Sequence, residues 1–137
     1  MGTSIREVMT SEVKACEPNT TVAEAAKLMA KEDIGPVPVV EEGRLTGIVT
    51  DRDIVVRVVA EGRDPNSTTV GEIASSDLVT VSPDDDLDTA LQQLARKQVR
   101  RIPVVEGDRL VGIVAQADIA RLGSDAKTGE VVEEISR

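Results

Sequence analysis

Apolar residues fall along this chain in two rhythms, one of helical spacing and one of alternation, and both rhythms occur twice. Val22, Ala25, Ala26 and Met29 share one face of a helix that opens on the capping box Thr21-Val-Ala-Glu24. Leu87, Ala90, Leu91 and Leu94 keep the same spacing after Asp85 and Asp86. Two amphipathic helices are expected. Val37 to Glu41 and Arg44 to Thr50 are β-branched runs parted by Glu42-Gly43, and a matching pair of runs is parted by Gly107-Asp108. Each pattern predicts a hairpin. A shorter strand is expected at Val13 to Cys16 and again at Leu78 to Val81. Second helices are expected at Asp51 to Ala60 and Gln116 to Leu122, and short leading helices at Ile5 to Met9 and Val70 to Ala74.

The duplication extends to the residues themselves. GIVTDRDI, residues 47–54, returns as GIVAQADI, residues 112–119, at a spacing of 65 positions. At that spacing Pro18 falls on Pro83, Ala25 on Ala90, Ala30 on Ala95, and Pro38-Val39-Val40-Glu41 on Pro103-Val104-Val105-Glu106. No gap is needed from Glu7 to Ile54. Two copies of this length imply a pseudo-twofold pair in which neither half buries its apolar face alone. The sequence divides into a first domain at 1–61, a turn-rich linker at 62–68, a second domain at 69–122 and a tail at 123–137. In the tail, Val131, Val132 and Ile135 offer one turn of apolar face. The fold class is α/β (α+β), with each copy ordered β-α-β-β-α.

Composition then removes most chemistries. The 137 residues carry 40% apolar and 30% charged side chains, the proportions of a folded protein. With no aromatic residue, the core is left to Val, Ile, Leu, Met and Ala. A net charge of -9 works against nucleic acid and anionic membranes. The start MGTSIREVMT lacks an apolar signal region, Arg6 spoils a myristoylation pattern, and no run approaches a membrane span, so a cytoplasmic location is expected. The absence of histidine excludes Ser-His-Asp and Cys-His catalysis, and the lone Cys16, expected in the core, excludes a structural His/Cys zinc site. Phosphate-binding glycine motifs are missing as well. No catalytic residue, metal or required cofactor is expected.

The order of elements, the Pro-Val-Val start of each hairpin and Gly-Ile-Val-x-x-x-Asp-Ile entering each last helix have a known counterpart. Each copy resembles a cystathionine-beta-synthase (CBS) domain, and the pair, over roughly residues 5 to 122, resembles a stand-alone Bateman module. The resemblance implies two ligand clefts between the halves, dimerisation into a flat disc, and adenine-containing ligands such as AMP, ADP, ATP, adenosine derivatives, S-adenosylmethionine or a cyclic dinucleotide. Its ribose motif maps onto Thr50 and Asp53, and in the second half onto Ala115 and Asp118, where the hydroxyl is lost. Arg100 and Arg101 stand where the family places cations beside phosphates, whereas the first copy has Gly35-Pro36. The resemblance sets Thr50 and Asp53 opposite Val79, Thr80, Val99, Arg100 and Arg101, with Asp118 and Ile34 as further ligand positions.

The residue chemistry agrees with a nucleotide cleft. A carboxylate accepts both hydroxyls of a ribose in a charge-assisted pair, and a hydroxyl beside it completes the set. The same Thr50-x-x-Asp53 is also a capping box, and Arg100-Arg101 also reads as a solvated pair. Both roles stay open on sequence alone. The leading expectation is a non-enzymatic adenine-nucleotide sensor that forms a homodimer and signals through an effector protein. The alternative is a scaffold or interaction module with vestigial clefts.

Overall fold

The computed structural model describes residues 3–123, and the apolar turn expected at Val131, Val132 and Ile135 lies outside them. The chain packs as two compact units, one formed by Lys14–Leu78 and the other by the residues through Val13 together with those from Val79 onward. These packing boundaries are offset from the repeat boundaries. Each unit joins the leading segment of one repeat to the body of the other.

In the unit Lys14–Leu78, α2 (Val22–Glu32) is followed by the antiparallel hairpin β1 (Val37–Glu41) and β2 (Arg44–Val49), then by α3 (Asp51–Ile54) and α4 (Val70–Ile73). Thr21 caps α2 through its hydroxyl, which accepts the Glu24 amide at 3.2 Å, and Glu24 reciprocates on the Thr21 amide. Both hairpin-turn residues, Glu42 and Gly43, take positive φ (54° and 83°), which suits a two-residue turn and the twist of the strands. Val22, Ala25, Met29, Val37, Val39, Val49, Val58, Val70 and Ile73 bury together with Cys16.

The other unit repeats this plan with α1 (Ile5–Val8), α5 (Leu87–Lys97), the hairpin β3 (Arg101–Glu106) and β4 (Arg109–Ala115), and α6 (Gln116–Gly123). Its core joins Ile5, Val81, Ala90, Leu94, Ile102, Val104, Val114 and Ile119. Ile5 and Val70 occupy equivalent repeat positions, yet each is buried with the body of the other copy. The backbone does the same. Ile5 N–H donates to Asp85 O and Arg6 N–H to Pro83 O, both at 2.9 Å, while Val70 N–H donates to Thr20 O at 2.8 Å and Gly71 N–H to Pro18 O at 2.9 Å. A two-way bridge follows in each unit, Thr10 with Ile113 and Ser75 with Ile48.

This close approach explains the glycine of Gly-Ile-Val. A Cβ on Gly112 would stand 2.9 Å from Thr10 O, and one on Gly47 would stand 3.0 Å from Ser75 O. Backbone occupies the space that a side chain would need.

Two sequence expectations change in the structure. The short strands expected at Val13 to Cys16 and Leu78 to Val81 reduce to single parallel bridges, Cys16 with Val39 and Val81 with Val104. The helix expected over Asp51 to Ala60 is α-helical only to Ile54 and then widens to a π-helical turn at Val55–Val59, with Ala60 N–H on Val55 O at 2.9 Å. Four of those five residues are valines, whose branched Cβ crowds the preceding turn of an α-helix.

Truncating Ile5, which is fully buried, to alanine should cost about 2–5 kcal/mol in urea unfolding despite its place near the start of the chain. In hydrogen exchange the loss of protection should fall on α5, β3 and β4. Loss confined to α2, β1 and β2 would contradict the exchanged packing.

Candidate functional site

At the end of β2 the strand becomes helix at a single residue. Thr50 is extended (φ -119°, ψ 165°) and the chain turns helical at Asp51. The first amides of a helix lack intrahelical partners, and two side chains supply them here. Thr50 Oγ1 accepts the Asp53 N–H at 3.1 Å, and Asp53 Oδ2 accepts the Thr50 N–H at 2.9 Å. The capping box read in the sequence is therefore formed. Asp53 is largely shielded, its side chain 18% exposed, and its other oxygen, Oδ1, lies 3.9 Å from Arg57 Nε.

The second copy keeps half of this arrangement. Asp118 Oδ2 accepts the Ala115 N–H at 2.9 Å, and Asp118 is buried, but no hydroxyl stands at residue 115 to take an amide in return. The aspartate thus holds the strand-to-helix junction in both halves, whereas the threonine adds a second bond in one.

The remaining site positions sort by unit. Thr50, Asp53 and Ile34 belong to Lys14–Leu78, and Val79, Thr80, Val99, Arg100, Arg101 and Asp118 to the other unit. Ile34 is half-buried against its unit's core, with its N–H on Met29 O at 3.0 Å. Val79 and Thr80 are half-buried and lead into Val81, whose N–H donates to Pro103 O at 3.1 Å. Val99 is exposed. Arg100 is exposed as well, and its carbonyl accepts the Gln116 N–H at 2.9 Å. Arg101 opens β3 directly opposite Ala115. The backbone therefore brings the arginine pair beside the Ala115–Asp118 turn of its own unit.

Sequence reasoning passed over Arg57. Besides facing Asp53, it donates from Nη1 to the carbonyl of Ile73 at 3.1 Å, which links the site turn to α4. Its only signal in the sequence was a spacing of four from Asp53.

Cys16 takes no part in this chemistry: burial pushes its thiol up from 9.0 to about 11, far from the reactive thiolate. Among the described residues, no group of three or more His, Cys, Asp or Glu is placed to hold a metal, and no helix is long and apolar enough to cross a membrane.

Two domains of this plan in one chain, each with a carboxylate at a strand-to-helix junction, match a known family. The CBS domain model matches residues 5–60 and 70–125, so the chain belongs to the CBS domain family and carries two copies. It is 46% identical over 117 residues to the CBS domain-containing protein YhcV of Bacillus subtilis, covering 85% of this chain and 83% of that protein. To Hypoxic response protein 1 of Mycobacterium tuberculosis it is 41% identical over 120 residues, covering 87% and 84% of the two chains. A crystal structure of Hypoxic Response Protein I with two coordinated zinc ions has a TM-score of 0.79 at 40% identity, covering 88% of this chain and 98% of that one. The CBS domain pair of protein MJ0100, in complex with 5'-methylthioadenosine and S-adenosyl-L-methionine, has a TM-score of 0.76 at 30% identity, covering 90% and 98%.

The two junctions can be compared by exchanging the hydroxyl. Thr50→Ala should cost about 1 kcal/mol of stability and Ala115→Thr should recover up to a similar amount, both measured by chemical denaturation. A neutral result for Thr50→Ala would deny the hydroxyl its capping role.

Proposed function

We propose that the chain is a non-enzymatic regulatory module that binds an adenine-containing ligand, with AMP, ADP and ATP as the first candidates. The observation that carries this reading is an aspartate carboxylate held at the strand-to-helix junction of each half, in a family whose MJ0100 member takes two adenosine derivatives. Both of those ligands present a ribose diol. In this reading Asp53 keeps Oδ2 on the cap and offers Oδ1 to the diol, while the Thr50 hydroxyl, already accepting an amide, donates its own proton. Ala115 cannot do so, which makes the two sites unequal. Arg100 and Arg101 supply the cations for phosphates, and aliphatic groups at equivalent positions of the two repeats, Ile34 in one unit and Val99 in the other, offer a purine its apolar contact, since no aromatic exists to stack on it.

Zinc does not carry over from the hypoxic response protein in this reading, because the chain has no histidine and its one cysteine is buried as a thiol. Signalling requires the ligand to favour one arrangement of the halves or of a dimer, and an effector protein to read it. A homodimer is part of the proposal: Val55, Val56 and Val59 on the π-helical turn stay 57%, 45% and 66% exposed, an apolar surface that a second copy would cover. Light scattering should give twice the chain mass at micromolar concentration; a monomer mass would remove the dimer from the proposal.

A chain without Trp, Tyr or Phe barely absorbs in the near ultraviolet, so a co-purified nucleotide should show directly in the spectrum, and mass spectrometry of the released compound should name it. In calorimetry with AMP, ATP and adenosine, Asp53→Ala should weaken the stronger site about 10- to 150-fold, the value of a charged hydrogen bond. Asp118→Ala should cost less total binding, and Arg101→Ala should harm AMP and ATP more than adenosine. A folded Asp53→Ala variant that binds every ligand like the parent would leave Thr50-x-x-Asp53 as a helix cap alone. A clean spectrum with no thermal shift across the adenine ligands would favour the scaffold.

A further inference from the structure

One side chain outside the ribose motif lies against Asp53 and is anchored elsewhere in the same unit. The Arg57 guanidinium donates to Ile73 O at 3.1 Å and presents Nε to Asp53 Oδ1 at 3.9 Å. Ile73 lies in the last turn of α4, where carbonyls lack intrahelical partners, so Arg57 satisfies a backbone group that the helix leaves open. The anchor is firm. Val70 N–H is held by Thr20 O at the start of α4, and just beyond its end Ser75 and Ile48 exchange hydrogen bonds of 2.9 and 3.0 Å.

The geometry of the pair matters as much as its charge. At 3.9 Å the Arg57–Asp53 contact is an ion pair without a hydrogen bond, so it restrains Oδ1 while leaving that oxygen's lone pairs to hydroxyl donors. Oδ2 is meanwhile fixed on the Thr50 amide. One oxygen is clamped by the cap, and the other is turned by a cation tied to a different helix. At the repeat spacing, the second copy has Leu122 in place of Arg57. The device belongs to the half that also has the threonine.

We propose that Arg57 is a positioning residue for the ribose-binding carboxylate, holding Asp53 Oδ1 toward the ligand diol from an anchor on α4. This rests on the adenosine-binding role proposed for Asp53. A misaligned carboxylate loses the contact to the 2'-hydroxyl before it loses the purine, so Arg57 should set the preference for adenosine over 2'-deoxyadenosine.

The test measures both nucleosides by calorimetry on the parent, Arg57→Lys, Arg57→Gln and Asp53→Ala, with melting temperatures alongside. The parent should prefer adenosine. Arg57→Gln removes the charge, and should cut that preference about two- to five-fold, as expected for a half-exposed pair. Arg57→Lys keeps the charge and should retain most of the preference. Lys and Gln variants that discriminate alike, or a Gln variant that discriminates like the parent while Asp53→Ala does not, would overturn the role of Arg57 and leave the diol reading standing. A parent that binds neither nucleoside, or an Asp53→Ala variant with the parent's preference, would remove the diol reading and this inference together.

Discussion

The hydrogen bonds that tie the leading segment of each repeat to the body of the other, Ile5 to Asp85 and Val70 to Thr20 among them, are the constraint behind most of this structure. They place one fully buried residue of each repeat in the core containing the other's hairpin. Because the leader runs against strands β2 and β4, those strands must be glycine where it passes, at Gly47 and Gly112. A side chain at either position would have to displace backbone and not merely a flexible neighbour. The Gly-Ile-Val that marks both copies is thus explained by packing, before any ligand is considered.

The same strands end in the site. Gly47 and Gly112 stand three residues before Thr50 and Ala115, where an aspartate three positions further on closes the junction by accepting the amide of the last extended residue. An amide left open at that point would forfeit a hydrogen bond in a half-buried position. That cost accounts for the aspartate in both copies. The threonine hydroxyl satisfies a different amide, that of Asp53 itself, and a helix tolerates its absence more readily. A residue kept for the fold in both halves and a residue kept in one are therefore different kinds of evidence about binding.

Much of the fold was legible because its signals are local. The helical spacing from Val22 to Met29, the Thr21 cap and the Glu42-Gly43 turn each specify conformation within a few residues, and the structure has all three. The exchange of leaders was not legible, since Ile5 and Val70 head the same apolar pattern and either would fit either body. Alternation around Cys16 and Val81 suggested strands, but only one residue of each segment bridges to a neighbour. Hydrophobic spacing likewise cannot separate i+4 from i+5 bonding, so the π-helical turn at Val55–Val59 was read as ordinary helix. The capping role of Asp53 was legible from the spacing Thr50-x-x-Asp53. Arg57 was not, because its defining contact, to a carbonyl sixteen residues away, is tertiary.

What distinguishes the halves lies around the shared aspartate. One unit has Thr50 and Arg57 about Asp53, and the position equivalent to Arg100 is Gly35, where a Cβ would stand 3.1 Å from Asp51 Oδ1. The other has Ala115 and Leu122 at the matching positions, and Gln116 in place of Asp51, with its N–H on the Arg100 carbonyl. Hydroxyl recognition and phosphate recognition ask for opposite local charge, an acceptor in one case and cations in the other. Around the carboxylate that both junctions keep, the unit Lys14–Leu78 adds the Thr50 hydroxyl and Arg57, and the other unit sets Arg100 and Arg101 beside its junction along the backbone.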